Sequence, residues 1–143
     1  MIRYAEVLLM YAEAKNELGQ LDANVWNTTI RALRIRAGFN DAGATAYPSA
    51  TSDQLRTIVR RERRAELAFE GIRPFDIRRW KIADQVMARP VRGIKVSGGA
   101  FNKDANGYII VENRIFNNPK HYLWPVPTFE RDQNSNLGQN QGW

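Results

Sequence analysis

Residues 52–81, SDQLRTIVRRERRAELAFEGIRPFDIRRWK, constrain this chain more than any other stretch. Leu55, Ile58, Val59, Ala65 and Phe69 recur at helical spacing. The spacing predicts a helix from about Ser52 to Phe69 with those residues on its core face. Thr51 is placed to cap it, and Gln54 three residues on completes a capping box. Two acids fall in the middle of the same face. At about 100° per residue, Glu62 lies roughly 20° to one side of Leu55 and Glu66 roughly 20° to the other. A carboxylate on a buried face is costly unless it is paired. Guanidinium groups are the fitting partners, because arginine stays charged and forks onto carboxylates. Gly71 breaks the stretch, which brings Arg78 and Arg79 of DIRRW within reach as the chain folds back. The expectation is a buried structural ion-pair core of Glu62, Glu66, Arg78 and Arg79.

Two other readings use the same residues. Acids one turn apart suit general acid/base work, which would make Glu62 and Glu66 a glycosidase pair. Such a pair stands across a cleft with substrate between, and helical neighbours are badly placed for that. Arg56, Arg60, Arg61, Arg63, Arg64, Arg73, Arg78, Arg79 and Lys81 crowd the region, which fits a nucleic-acid binder. Glu62, Glu66, Glu70 and Asp76 interrupt that run, and no groove-reading motif accompanies it. The structural pairing is the preferred reading, with no catalytic residue and no nucleic acid.

A chain of 143 residues fits a single domain. The formal net charge is +6 and most of the basic residues are Arg, which suits either acidic ligands and anionic surfaces or, as the preferred reading, internal ion pairs for many of these arginines. With no Cys and one His, the chain cannot build a disulfide, a thiolate zinc site or a Cys/His catalytic pair. His121 alone makes no metal site, and nothing calls for a cofactor. Neither a signal peptide nor a membrane span is visible.

Residues 1–18 read as a helix with two apolar stripes. Tyr4, Val7, Leu8, Tyr11 and Leu18 form one, and Ala5, Leu9, Met10 and Ala12 cover much of the other. A helix apolar on two sides packs between neighbours, as in stacked helical repeats. Its abrupt, uncapped start points to a piece of a longer chain. Glu6 and Glu13 lie on one side of the helix and either pair with arginines of the next helix or stay solvated. That helix spans residues 22–37, capped by Asp22, with Trp26, Thr29, Ile30, Leu33 and Ala37 inside. The two form an antiparallel hairpin of tetratricopeptide-like size. Residues 39–51 read as a surface loop, by preference a plain connector, with Phe39 and Tyr47 as candidate stackers should it contact a ligand. Pro74 opens a last helix running to about Met87, with Trp80 in its core.

Pro90 ends the helical part, so residues 1–89 are helical and residues 90–143 extended or irregular. Residues 91–96 and 108–116 are strand-like. They either pair as one short β-hairpin or lie separately along the helices. Beyond residue 117 the prolines oppose regular structure, and Tyr122, Leu123, Trp124, Val126 and Phe129 pin the tail by apolar burial. Trp143 docks the end. The fold class is mainly α, with tetratricopeptide-like hairpins and an irregular C-terminal layer.

The string RRERRAELAFEG followed by PFDIRRWK resembles the C-terminal signature of the SusD/RagB family. RYAEVLLMYAEAKNELG, IRALRIRAGF, YLWPVP and NSNLGQNQGW resemble further family segments in the same order, so the likeness covers nearly the whole chain. The family comprises outer-membrane lipoproteins of Bacteroidetes that capture glycans or other nutrients. The resemblance implies a non-catalytic binding component working with a SusC-like TonB-dependent transporter. It implies a surface-exposed outer-membrane protein held by a lipid anchor on a missing N-terminal part. No matched segment is a ligand motif. Exposed loop aromatics, Tyr47, Phe101 and Tyr108, are the candidate ligand contacts.

Overall fold

The computed structural model describes residues 2–143, so Met1 lies outside the described residues. It is mainly helical with one two-stranded antiparallel sheet. The chain divides into two compact units, the second beginning at Pro74. The first holds α1 (Tyr4–Glu17), α2 (Ala23–Thr28), α3 (Ile30–Arg36), α4 (Ala42–Thr45) and α5 (Ser52–Glu66).

Only one of the two apolar stripes on α1 is buried. Ala5, Leu9 and Ala12 line it, and Glu13 and Asn16 continue it. Its small residues let α1 lie close along α5. Asn16 is satisfied there, donating to the carbonyl of Ser52 at 3.2 Å. Tyr4, Val7, Tyr11 and Leu18 face outward instead. The expected single helix over 22–37 is two helices. Thr29 sits at φ −118°, ψ −89° and separates α2 from α3. Its hydroxyl donates to the Val25 carbonyl at 2.5 Å, and the Thr28 hydroxyl donates to Asn24 at 3.0 Å. Threonine hydroxyls that take backbone carbonyls in this way bend a helix. Trp26 and Ile30, on either side of the break, are fully buried. The loop after α3 also contains the short helix α4, capped by Asp41 accepting from the Ala44 amide at 2.8 Å.

The capping box of α5 is present: the Thr51 hydroxyl accepts from the Gln54 amide, and the Gln54 side chain accepts from the Thr51 amide. Thr51→Ala is expected to lower stability by about 1 kcal/mol, and Thr51→Ser to restore it, as read from urea midpoints. Helix α5 ends at Glu66, earlier than expected, and its buried stripe is Leu55, Val59 and Arg63, followed by Leu67. Successive members of an i, i+4 row turn by about 40°, so this stripe drifts away from the phase set by Leu55 alone. Ala65 therefore faces out, and Glu62 and Glu66 lie at the stripe's edge. Phe69, expected in the core, is fully exposed at φ +64°. Glu6 meets Arg63 of α5 at 3.7 Å, and not an arginine of the second predicted helix.

Helix α6 (Arg73–Arg79) carries the chain into the second unit, where α7 (Ala83–Met87) follows. The expected continuous helix breaks at Lys81, at φ +55°. Ile77, Ala83 and Tyr122 form the buried core of this unit, with Ile82, Val86, Met87 and Phe116 packed around them. Trp80 is half-buried. Strands β1 (Val91–Lys95) and β2 (Tyr108–Glu112) pair antiparallel, so the hairpin reading holds. Asp104 organises the connecting loop, accepting from the amides of Asn106 and Tyr108. The tail is pinned by hydrogen bonds more than by apolar burial. Gln139 grips the amide and carbonyl of Val126 at 2.8 and 3.1 Å, and Asn140 donates to the Trp124 carbonyl at 2.6 Å. Leu123, Trp124 and Phe129 stay exposed. Trp143 docks through its indole N–H, which donates to the Lys120 carbonyl at 2.9 Å. Helix α8 (Thr128–Gln133) forms directly after Pro127, whose missing N–H costs nothing at a helix start.

Candidate functional site

Both acids singled out on α5 are ion-paired, but with other arginines than expected. Arg34 of α3 donates to Glu62 Oε1 at 2.5 Å and to the Ala44 carbonyl at 2.5 Å. Its guanidinium also lies 5.2 Å over the Trp26 ring. Glu66 Oε1 accepts from Arg3 at 2.7 Å and from Arg36 at 2.5 Å. Arg3 further donates to the Glu66 carbonyl at 2.6 Å and, through Nε, to Glu70. Arg78 and Arg79 are engaged within the second unit. Arg78 donates to the carbonyls of Pro74 and His121 and lies 5.5 Å over Trp124. Arg79 donates to Asp76 at 3.0 Å and lies 4.9 Å over Trp80. The expected set of Glu62, Glu66, Arg78 and Arg79 is thus corrected to Glu62 with Arg34, and Glu66 with Arg3 and Arg36. The bend at Thr29 sets the phase of α3 apart from that of α2, and from α3 Arg34 and Arg36 reach the two acids of α5.

Full burial is corrected too. The Glu62 and Glu66 side chains keep 17% and 14% of their exposure. With Leu33, Arg34, Phe39 and Arg61 they line a crevice of about 230 Å³ between α3 and α5. Each acid commits one oxygen, Oε1, to arginine. Among the described residues no hydrogen bond reaches Oε2 of either. Burial pushes the Glu66 carboxyl up, but hydrogen bonds from Arg36 and Arg3 outweigh it and hold the group below the usual carboxylate range. The crevice therefore presents an ionised Glu66 and an arginine-oriented Glu62 beside an exposed aromatic ring.

The three loop aromatics fall in different places. Tyr47 lines an open depression of about 640 Å³ with Lys15, Gln20, Asp22 and Val25. Its hydroxyl donates to the Leu21 carbonyl at 2.7 Å, and its ring meets Trp26 edge-on with centroids 5.9 Å apart. Phe101 and Tyr108 belong to the hairpin of the second unit. Phe101 is exposed and closes down on Gly99, where a Cβ would fall 2.7 Å from the ring. The cations of Arg92 and Lys95 each lie 5.9 Å from the ring centre of Tyr108. Phe39, at the rim of the crevice, was legible as a loop aromatic. The crevice itself was not, because it needs α3 and α5 face to face.

Among the described residues no three Asp, Glu or His side chains converge as metal ligands would. No described helix is long and apolar enough to cross a membrane.

The SusD family model matches residues 1–143. SusD-like protein P2 of Formosa agariphila is 36% identical over 144 residues, covering 97% of this chain and 24% of that protein. The crystal structure of a SusD-like protein from Bacteroides fragilis superposes with a TM-score of 0.76 at 32% identity, covering 99% of this chain and 25% of that one. A SusD homolog from Bacteroides thetaiotaomicron gives 0.72 at 28% identity, over 100% and 26% of the two chains. The chain thus spans about a quarter of the length of these relatives. Family match and shared architecture agree along the whole sequence, and the chain belongs to the SusD family.

Proposed function

We propose that this chain serves a non-catalytic nutrient-binding protein that captures glycans at the outer membrane and passes them to a TonB-dependent transporter. The family match over the entire chain carries this reading. Family membership also supports a lipid anchor and a surface location for the full-length protein. Tyr47, Phe101 and Tyr108 are the proposed loop contacts, and aromatic faces of this kind suit the apolar faces of sugar rings.

The acids on α5 favour binding over turnover. Glu66 is held ionised by two arginines, whereas a general acid must carry a proton near its working pH. Both carboxylates project from one helix, without the opposed geometry that glycoside hydrolysis needs. Arg3, Arg34, Arg36 and Arg56 are committed to carboxylates, which leaves fewer cations for phosphates.

Titration with an oligosaccharide panel, followed by chromatography of the same mixtures, is expected to show binding without cleavage products. Products that disappear in Glu62→Gln would make the chain an enzyme. Tight nucleic-acid binding that falls steeply with salt would replace the glycan reading.

A further inference from the structure

We propose that the crevice between α3 and α5 is a subsite for one neutral pyranose unit, with Phe39 as its stacking face and Glu62 and Glu66 as its hydroxyl acceptors. The proposal rests on the glycan-binding reading and locates a contact that family membership does not.

Four observations carry it. First, the volume of about 230 Å³ lies below the roughly 300 Å³ at which pockets for drug-sized ligands begin, so it suits one ring and not a folded chain. Second, Phe39 stands at the rim with 52% of its surface exposed, although burial would stabilise a phenyl ring. Third, the carboxylates are held in place before any ligand arrives. Arg34 fixes Glu62, and Arg3 and Arg36 fix Glu66, each through Oε1. Oε2 of each is left as a charged acceptor, and a hydroxyl donating to a carboxylate makes a stronger bond than one donating to a neutral group. Acceptors fixed in advance lose little freedom on binding. Fourth, the charges decide the ligand class. The lining sets two arginines, Arg34 and Arg61, against two acids, Glu62 and Glu66, and both acids and Arg34 are already ion-paired, so no uncompensated cation cluster awaits a carboxylate or sulfate. A neutral ring needs only donors and acceptors, which Arg61 at the rim and the two Oε2 atoms supply.

Calorimetric titration of the 143-residue chain with maltohexaose, cellohexaose, xylohexaose and hexagalacturonate tests this. At least one neutral hexaose is expected to bind more tightly than the hexagalacturonate. Phe39→Ala is expected to weaken that binding by about tenfold or more, roughly 1.4 kcal/mol. Phe39 is exposed, so its loss should leave the thermal midpoint unchanged; Glu62→Gln should weaken binding as well. Phe129→Ala, on α8, should change nothing. If a neutral hexaose binds but Phe39→Ala and Glu62→Gln both keep its affinity within about twofold, the subsite is wrong and the glycan reading stands. Preference for hexagalacturonate overturns the subsite in the same way. If none of the four binds, the glycan reading fails and the subsite with it.

Discussion

Trp26→Ala is expected to destabilise the first unit by about 4 kcal/mol, within the range for removing a buried aromatic side chain. Trp26 is fully buried in the cluster that also holds Leu9, Ile30, Leu55 and Val59. Three losses coincide there. The cavity left by an indole is larger than its neighbours can fill, because α2 and α3 are already bent around it at Thr29. The indole N–H donates to the buried Thr45 carbonyl at 3.0 Å, and truncation leaves that oxygen without its donor. The ring also supports Arg34 from 5.2 Å and takes the edge of Tyr47, so both lose a packing face. Trp26→Phe separates these terms, since it keeps most of the volume and removes only the donor and one ring. It should cost about 1–2 kcal/mol. Urea unfolding followed by far-ultraviolet circular dichroism reads both variants. A loss below about 1 kcal/mol in Trp26→Ala would mean that α2 does not organise this core.

What the sequence disclosed was local. Asp22 and Thr51 were readable as caps because a cap needs only its own residue and an amide two or three positions on. Both strands were readable from local composition, but their pairing was one of two open alternatives that only the structure decides. The family signature was legible for the same reason, as contiguous strings. What failed were choices between equivalent local options. Either apolar stripe of α1 was fit for burial, and the closer approach allowed by Ala5 and Ala12 decided between them. Thr29 and Lys81 broke helices whose hydrophobic spacing runs on undisturbed, since periodicity does not register a hydroxyl that takes a carbonyl or a single left-handed residue. For the site, the need of Glu62 and Glu66 for arginine was readable, because a carboxylate near a core face demands it. Which arginine was not, because a chain with many of them offers several solutions and only the kinked α3 selects Arg34.

Arg34→Ala should be the most damaging of the arginine substitutions in this network, at about 2–4 kcal/mol, while Arg36→Ala should cost below about 1 kcal/mol. Both arginines sit on α3 and both donate at 2.5 Å to an acid of α5, so bond length alone does not separate them. Their surroundings do. The Arg34 side chain is 15% exposed and its partner Glu62 17%, whereas Arg36 is 56% exposed. Breaking a buried pair costs about 3–5 kcal/mol because a charge is stranded away from water, and partial access at Glu62 reduces that figure. An exposed pair contributes about 0–1 kcal/mol. Redundancy widens the gap. Glu66 keeps Arg3 when Arg36 is removed, but among the described residues Glu62 has no second cation. Arg34 also holds the Ala44 carbonyl and stacks on Trp26, so its removal loosens α4 along with the ion pair. A double-mutant cycle between Arg34→Ala and Glu62→Ala isolates the pair from those other contacts, and a coupling of about 1–2 kcal/mol is expected. A coupling near zero would show that Glu62 is stabilised by water in the crevice and not by Arg34. The carboxylate would then be free to turn, and the fixed acceptor geometry on which sugar recognition depends would be lost.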